Sequence, residues 1–406
     1  MSSIWGELEV SLKQREEQHL RRQRTIVDSA AGGRVMVDGE SLLCFCSNDY
    51  LGLANHPKLI EAFTGAAKRY GVGSGASHLV SGHSAEHHRL EETFADMTGR
   101  DRAVLFSTGY MANQGIITAL LDKSDAIFED KLNHASLIDA GLLSGARFQR
   151  FLHSDVVSLQ SRLEKTEARR RLVCVDGVFS MDGDIAPLPA LASLAKEHDA
   201  LLMIDDAHGF GVLGEHGLGS CEHYGLEQQD TPILMCTLGK ALGTFGALVA
   251  GSNALMETLV QFARSYIYTT ALPPAVAAAT TMSLSLLREE SWRREKLHRL
   301  IHYFREEAAR IHLPLMPSET PIQPLLVGDE QLALQWQQAL REQGFWISAI
   351  RTPTVAKGAA RLRITFSAAH DKEDVEQLLD ALKNTMQRLP VASAKSALKG
   401  DVHVAD

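Results

Sequence analysis

Short apolar runs alternate with helix-like stretches from about residue 45 to residue 290. Seven runs stand out: Ala103–Phe106, Ala126–Phe128, Phe148–Leu152, Leu172–Val175, Leu201–Ile204, Ile233–Cys236 and Ala247–Ala250. Most are apolar throughout, the pattern of strands buried on both faces. Helical segments separate most of them, which predicts βαβ units around a mostly parallel seven-stranded sheet. The last two runs are close together in the chain, which allows an antiparallel edge there. This large α/β domain is expected over residues 45–290.

Residues 1–24 read as an amphipathic helix, with Ile4, Leu8, Leu12 and Leu20 recurring among charges. Gly32-Gly33, a short strand over Arg34–Val37 and a turn at Asp38-Gly39 follow, so 1–44 is read as an N-terminal helix and arm. Beyond residue 290 the chain turns charged and helical, then strand-like at Ile322–Val327, Phe345–Ile350 and Leu362–Phe366. Val375, Leu378, Leu379, Leu382, Met386 and Leu389 make one apolar stripe of a final helix. A small α+β domain is therefore expected over 291–390. Residues 391–406 have no aromatic and little apolar content, and a disordered tail is expected there.

Composition narrows the class. Apolar residues are 45% and charged residues 22%, as in ordinary globular proteins, and a net charge of −9 disfavours nucleic acid and anionic membranes. Five cysteines are too few and scattered for a disulfide framework. Cys44 and Cys46 would share a face of a strand, while Cys174 and Cys236 sit in apolar runs as buried thiols. The start lacks the layout of a signal peptide, and no run approaches the roughly 18 apolar residues of a membrane span. A cytoplasmic location is the expectation.

In an open parallel sheet, ligands bind beyond the carboxyl ends of the strands. The polar residues that follow each run are therefore the candidates. They are Ser107-Thr108-Gly109-Tyr110, His134, Asp176 to Ser180, Asp205 to Gly209, and Thr237-Leu238-Gly239-Lys240. A lysine on a Gly-flanked turn can form a Schiff base with an aldehyde. Pyridoxal 5'-phosphate (PLP) needs such a lysine, a carboxylate at its ring nitrogen and a phosphate cradle at a helix N-terminus. Lys240, Asp205 and the helix start at Gly109-Tyr110 supply those parts, and His134 is a candidate to stack on the ring. Singly, each has a plainer reading: a surface charge, a turn or helix cap, a buried histidine. Together at strand ends they point to PLP.

Two other patterns point elsewhere and are set aside. Gly71-Val72-Gly73-Ser74-Gly75 is glycine-rich but follows a helical stretch, whereas a dinucleotide fingerprint follows a strand. His83 and His87 have the four-residue spacing of helical metal ligands, but no cysteine or carboxylate completes a set in sequence, so no metal is expected.

Thr237-Leu238-Gly239-Lys240-Ala241-Leu242-Gly243 resembles the lysine motif of the α-oxoamine synthases. Val175-Asp176-Gly177-Val178-Phe179-Ser180-Met181-Asp182-Gly183-Asp184 and Asp205-Asp206-Ala207-His208-Gly209 are similar to two more motifs of that family. The resemblance spans residues 4–389. Ser47-Asn48-Asp49-Tyr50-Leu51-Gly52-Leu53, Val80-Ser81-Gly82 and Ala349-Ile350-Arg351-Thr352-Pro353-Thr354-Val355 look like the branch that serves biotin biosynthesis. There are departures: His78 stands where the family often has arginine and Ala76 where it often has glycine, and Lys-Ala-Leu-Gly is common to the whole family.

The resemblance implies a fold-type I PLP-dependent transferase that works as a homodimer with its sites at the subunit interface. It implies condensation of L-alanine with pimeloyl-CoA or pimeloyl-acyl carrier protein to give 8-amino-7-oxononanoate, CO2 and free thiol. Lys240 would carry PLP and move the proton, Asp205 would pair with the ring nitrogen, and His208 and Ser180 would bond the ring oxygen. His134 would stack on the ring, and Gly109, Tyr110 and Thr237 would serve the phosphate. Arg363, with Asn48 nearby, would hold the amino-acid carboxylate, and Arg21 and Thr354 would contact the acyl substrate. Three readings remain open beside it. One is a sister synthase using glycine or serine, such as glycine C-acetyltransferase. Another is an aminotransferase, and the third is a non-catalytic subunit of the same fold, which would be expected to lack the lysine.

Overall fold

The computed structural model describes residues 3–18 and 20–391. Of the tail expected over 391–406, all but Val391, which packs against the core, lies outside the described residues. Two strands open the fold, β1 (Arg34–Val37) and β2 (Glu40–Cys44). Seven more follow: β3 (Arg102–Phe106), β4 (Ala126–Asp130), β5 (Arg147–Phe151), β6 (Arg171–Asp176), β7 (Ala200–Asp205), β8 (Ile233–Thr237) and β9 (Ala247–Gly251). The last four are β10 (Ile322–Gly328), β11 (Phe345–Trp346), β12 (Ser348–Ile350) and β13 (Ala360–Thr365).

All seven predicted runs form one sheet, in the order β3-β9-β8-β7-β6-β4-β5. The apolar pattern is explained by helices on both faces. Ile127, Leu172, Cys174, Met203 and Met235 point to one core, which the helices Gly109–Leu120, Ala135–Ser144 and Asn253–Phe262 cover. Phe128, Val173, Val175, Ile204 and Cys236 point to the other, under Ala85–Thr98, Val156–Lys165, Leu188–Glu197 and Pro274–Glu289. Each fully buried Leu, Ile, Val, Phe or Met side chain contributes about 1.5–3 kcal/mol, so the doubly covered sheet is the stable scaffold.

Strands β4 to β8 pair in parallel, and β9 runs antiparallel to both β8 and β3. The antiparallel strand is therefore not the edge: β3 pairs outside it. The N-terminal stretch also differs from expectation. The helix is shorter, Ile4–Glu17, and none of its residues is buried; Leu20 and Arg21 already lie beyond it, outside any regular element. β1 and β2 of the 1–44 arm form a sheet with β11, with Leu43 opposite Phe345. The single strand expected over Phe345–Ile350 is split. Its first half, β11, joins that sheet, and its second half, β12, joins β13 and β10.

All five cysteines are free. Cys44 and Cys46 do sit together, with sulfurs 3.8 Å apart, and Cys174 and Cys236 are fully buried. No described helix is long and apolar enough to cross a membrane.

Candidate active site

The carboxyl ends of β4, β6, β7 and β8, with Arg363 from β13, surround a cavity of about 350 Å³. That lies within the range of small-molecule sites, about 300–1,000 Å³.

Lys240 follows β8 on a turn closed by Gly243 N–H donating to the Lys240 carbonyl (2.9 Å) and Thr244 N–H donating to Leu238 (2.9 Å). Gly243 sits at φ +66°, and a side chain there would collide with the backbone of Leu53 and Ala54. The turn aims the lysine amine inward, where Nζ donates to Thr237 Oγ1 at 3.0 Å. Burial holds this amine below the ordinary lysine range, with Asp205 and Asp176 pulling the other way.

Asp205 and Asp176 end β7 and β6 as direct cross-strand partners. Asp205 is 4% exposed. Its Oδ2 accepts from Asn113 Nδ2 (2.7 Å) and its Oδ1 from Ala207 N–H (3.1 Å). Asp176 accepts from His134 N–H at 2.8 Å. Burial, and then Asp205 beside it, push its carboxyl well above the usual range.

His134 caps the helix Ala135–Ser144, its Nδ1 accepting from Ser136 N–H at 3.2 Å and meeting Ser136 Oγ at 2.7 Å. Asn113 also donates to Ser136 Oγ (2.8 Å), which links His134 to Asp205 through a buried chain of polar contacts. His208 Nδ1 meets Tyr50 Oη at 2.7 Å. Burial, and then the nearby Lys240 and Arg363 cations, keep that imidazole neutral. Arg363 is held by Nε donating to the Ser180 carbonyl (2.6 Å) and both terminal nitrogens donating to Asn48 Oδ1 (3.2 Å each).

At the opposite end, Thr108 caps the helix Gly109–Leu120 by accepting from Met111 N–H at 3.1 Å. A Cβ on Gly109 would lie 2.6 Å from Thr237 Cγ2, so only glycine lets this helix start reach the β8 turn. The first N–H groups of a helix are unpaired within it and favour an anion.

These residues fit PLP on their own chemistry. A buried amine lies near a buried carboxylate, a helix N-terminus stands beside a hydroxyl, and Asn113 Oδ1 is buried with no partner among the described residues. Of the twelve residues expected from sequence, ten line the cavity: Asn48, Gly109, Tyr110, His134, Ser180, Asp205, His208, Thr237, Lys240 and Arg363. Tyr110 is half exposed at its mouth and donates to Asp139.

Arg21 and Thr354 are not brought there. Arg21 pairs with Glu16 at 3.0 Å and lines a separate groove with Arg341, Trp346 and Arg351. Thr354 is exposed in the loop before β13. Both come from segments outside the main sheet, so strand-end logic does not reach them.

Tyr50, Asn113 and Ser136 join the site with no role expected from sequence, while Asp176, a candidate at its strand end, lines the cavity. Asn113 had a usable signal: it is one turn beyond Gly109, a polar residue among apolar ones on a helix that starts at a strand end.

Three comparisons bear on this geometry. A family model described as aminotransferase class I and II matches residues 40–382. The 8-amino-7-oxononanoate synthase of Saccharophagus degradans is 59% identical over 389 residues, covering 95% of this chain and 98% of that one. Among solved structures, a serine palmitoyltransferase from S. paucimobilis with PLP–myriocin bound is 27% identical. It covers 96% of this chain and 99% of that one, with a TM-score of 0.90. An 8-amino-7-oxononanoate synthase from Francisella tularensis is 32% identical over 86% of this chain and 98% of that one, with a TM-score of 0.76. With this similarity over nearly its whole length, and a lysine, a carboxylate and an arginine gathered at the strand ends, the chain belongs to the class I and II aminotransferase family and, within it, to the 8-amino-7-oxononanoate synthases.

Proposed function

We propose that this enzyme condenses L-alanine with a pimeloyl thioester, on coenzyme A or acyl carrier protein, to give 8-amino-7-oxononanoate, CO2 and free thiol. The reaction belongs to biotin biosynthesis, and five unpaired thiols suit a reducing cytoplasm. The observation that carries the reading is the cavity itself, with the Lys240 amine at its floor beside Asp205 and the Arg363 guanidinium at its wall.

PLP, when bound, supplies the electron sink that lets a bond at the amino-acid Cα break. Lys240 would hold it and would take and return the Cα proton at Nζ, a task helped by an amine that burial makes easier to deprotonate. Asp205 would keep the ring nitrogen protonated, His208 and Ser180 would serve the ring oxygen, and His134 would cover the ring. Gly109, Tyr110 and Thr237 serve the phosphate.

Arg363, fixed by Asn48 and the Ser180 carbonyl, holds the alanine carboxylate and so sets which Cα bond is activated first. Arg21 and Thr354, outside this cavity, serve the acyl substrate.

Thiol release from pimeloyl-CoA by the PLP-loaded enzyme tests the reading, with alanine, glycine and serine offered in turn. Release with alanine, and the amino keto acid seen by mass spectrometry, is expected; release with glycine alone would move the enzyme to a sister synthase. In the same assay, Arg363→Ala should raise the KM for alanine at least about tenfold more than that for the thioester, since the charge-assisted bonds to one carboxylate are lost. Equal effects on both would remove Arg363 from this role.

We further propose a homodimer with its sites at the subunit interface and the small domain, 291–390, packed beside the large one, 45–290. Support comes from apolar surface near the cavity: Tyr110 lines it and Leu132 lies two residues before His134, and each is 45% exposed. A second copy would cover such surface. Sedimentation should show a dimer at the concentrations used in the assay. A monomer with full turnover would refute the interface.

A further inference from the structure

The sequence pair His83 and His87 is rearranged by the fold in a way that creates a different cluster. His83 is not on the helix; it stands in the link between the turn His78–Gly82 and the helix Ala85–Thr98. His87 is spent structurally, its Nδ1 accepting from Ser84 N–H (2.9 Å) and its Nε2 donating to the Leu272 carbonyl (2.7 Å). The next turns of the helix instead present His88 and Glu91, three residues apart and therefore on one face. One ligand atom from each of His83, His88 and Glu91 lies within 4.8 Å of the others. These residues line a cleft of about 570 Å³ that shares no residue with the Lys240 cavity.

We propose that His83, His88 and Glu91 bind one divalent transition-metal cation of the zinc class, tying the 78–83 turn to the helix that follows it.

The surrounding groups orient the set as a metal's outer shell does. His83 Nδ1 lies 3.0 Å from His78 Nδ1. When His83 donates in that contact, its Nε2 is left with a lone pair, 3.9 Å from Glu91 Oε2. Glu91 Oε1 is taken by Leu105 N–H at 2.8 Å, which leaves Oε2 for the ion. His78, 8% exposed and stacked on Tyr266, also lines the cleft, and its Nε2 has no partner among the described residues.

Two imidazoles and one carboxylate select a zinc-like ion over magnesium or calcium, which prefer all-oxygen shells. Ligand bonds of about 2.0–2.2 Å require ligand atoms about 3.3 Å apart. The closing movement is small, and His88, 64% exposed, is free to turn from its present contact with Glu92 at 3.2 Å. Glu92, Asp96 and Asp101 also line the cleft, against the one cation Arg102, so its field favours a positive ion.

Protonation is consistent with this. Burial and the neighbouring imidazoles keep His83 below the usual range and His78 down to about 3, so both are neutral at pH 7.

The probe is Co2+, added to chelator-treated, PLP-loaded full-length enzyme at pH 7. One Co2+ per chain is expected, with the intense visible bands of a four-coordinate ion and displacement by Zn2+. His88→Ala is exposed and should fold normally, as its metal-free melting curve would report. It should weaken Co2+ binding at least about tenfold and lose the bands. His83→Ala should do the same, while His302→Ala, at an exposed histidine elsewhere, should change nothing. Absence of the bands, or bands and affinity unchanged in folded His88→Ala, would overturn the site.

Discussion

Lys240→Ala is expected to remove thiol release almost entirely, with kcat down by at least about 10²–10⁴-fold, the range for losing a positioned proton-transfer group. The visible absorbance of lysine-linked PLP should vanish with it. No other amine is placed to substitute: the cavity's remaining cation is Arg363, which donates to Asn48 and Ser180 and does not deprotonate in proteins. The variant should still fold, because Lys240 supplies only one side-chain hydrogen bond, to Thr237. A folded Lys240→Ala enzyme that keeps more than about a tenth of its turnover would remove the lysine from the mechanism.

Asp205→Asn should lower kcat by about 10²–10³-fold, the usual loss when one preorganised electrostatic partner is removed, and should weaken PLP retention. Its effect on the PLP-free protein differs in kind. An asparagine has one acceptor oxygen, so either Asn113 or Ala207 loses its partner, at about 1 kcal/mol. Against this, the repulsion between two buried carboxylates is relieved.

The pH dependence separates the two. The folded carboxyl of Asp176 is raised above its unfolded value. Below the unfolded pKa of about 3.9 both states are protonated and the group contributes nothing. As pH rises from there towards the folded pKa, the unfolded state ionises first, and stability falls. With Asp205 neutral, Asp176 should ionise more easily and that fall should be shallower. Urea midpoints of both PLP-free proteins at pH 4 and pH 7 would test this. The variant should gain on the parent between the two, and a gap that does not change with pH would mean that the carboxylates do not interact.

Much of the site was legible because its parts are local. Strands covered on both faces need apolar residues at every position, so their ends can be read from where polarity returns, and Asp205, His134 and Lys240 fall at such ends. A glycine at the start of a helix, or a lysine within a Gly-flanked turn, is likewise a statement about a few neighbouring residues. The resemblance added Arg363 and Asn48, which no spacing connects: they are 315 residues apart and meet through two hydrogen bonds to the Asn48 Oδ1.

The rest was decided by tertiary structure, because it depends on which segments become neighbours. The antiparallel β9 lies inside the sheet because β3, far earlier in the chain, pairs along its free edge. The N-terminal strands join β11 because Leu43 and Phe345 find each other across the fold. The Asn113–Ser136–His134 chain links two helices through side-chain reach, not sequence period. The histidine spacing at 83 and 87 suggested one pair, yet a helix that starts only at Ala85 excludes the first, and Leu272 occupies the second. Sequence by itself determined the fold class, the covered sheet and the residues at its ends, since burial and backbone pairing act on runs of neighbours. Strand order, the wiring between strand ends and the company of each histidine followed only from packing, which brings distant segments into contact by shape and leaves no period in the chain.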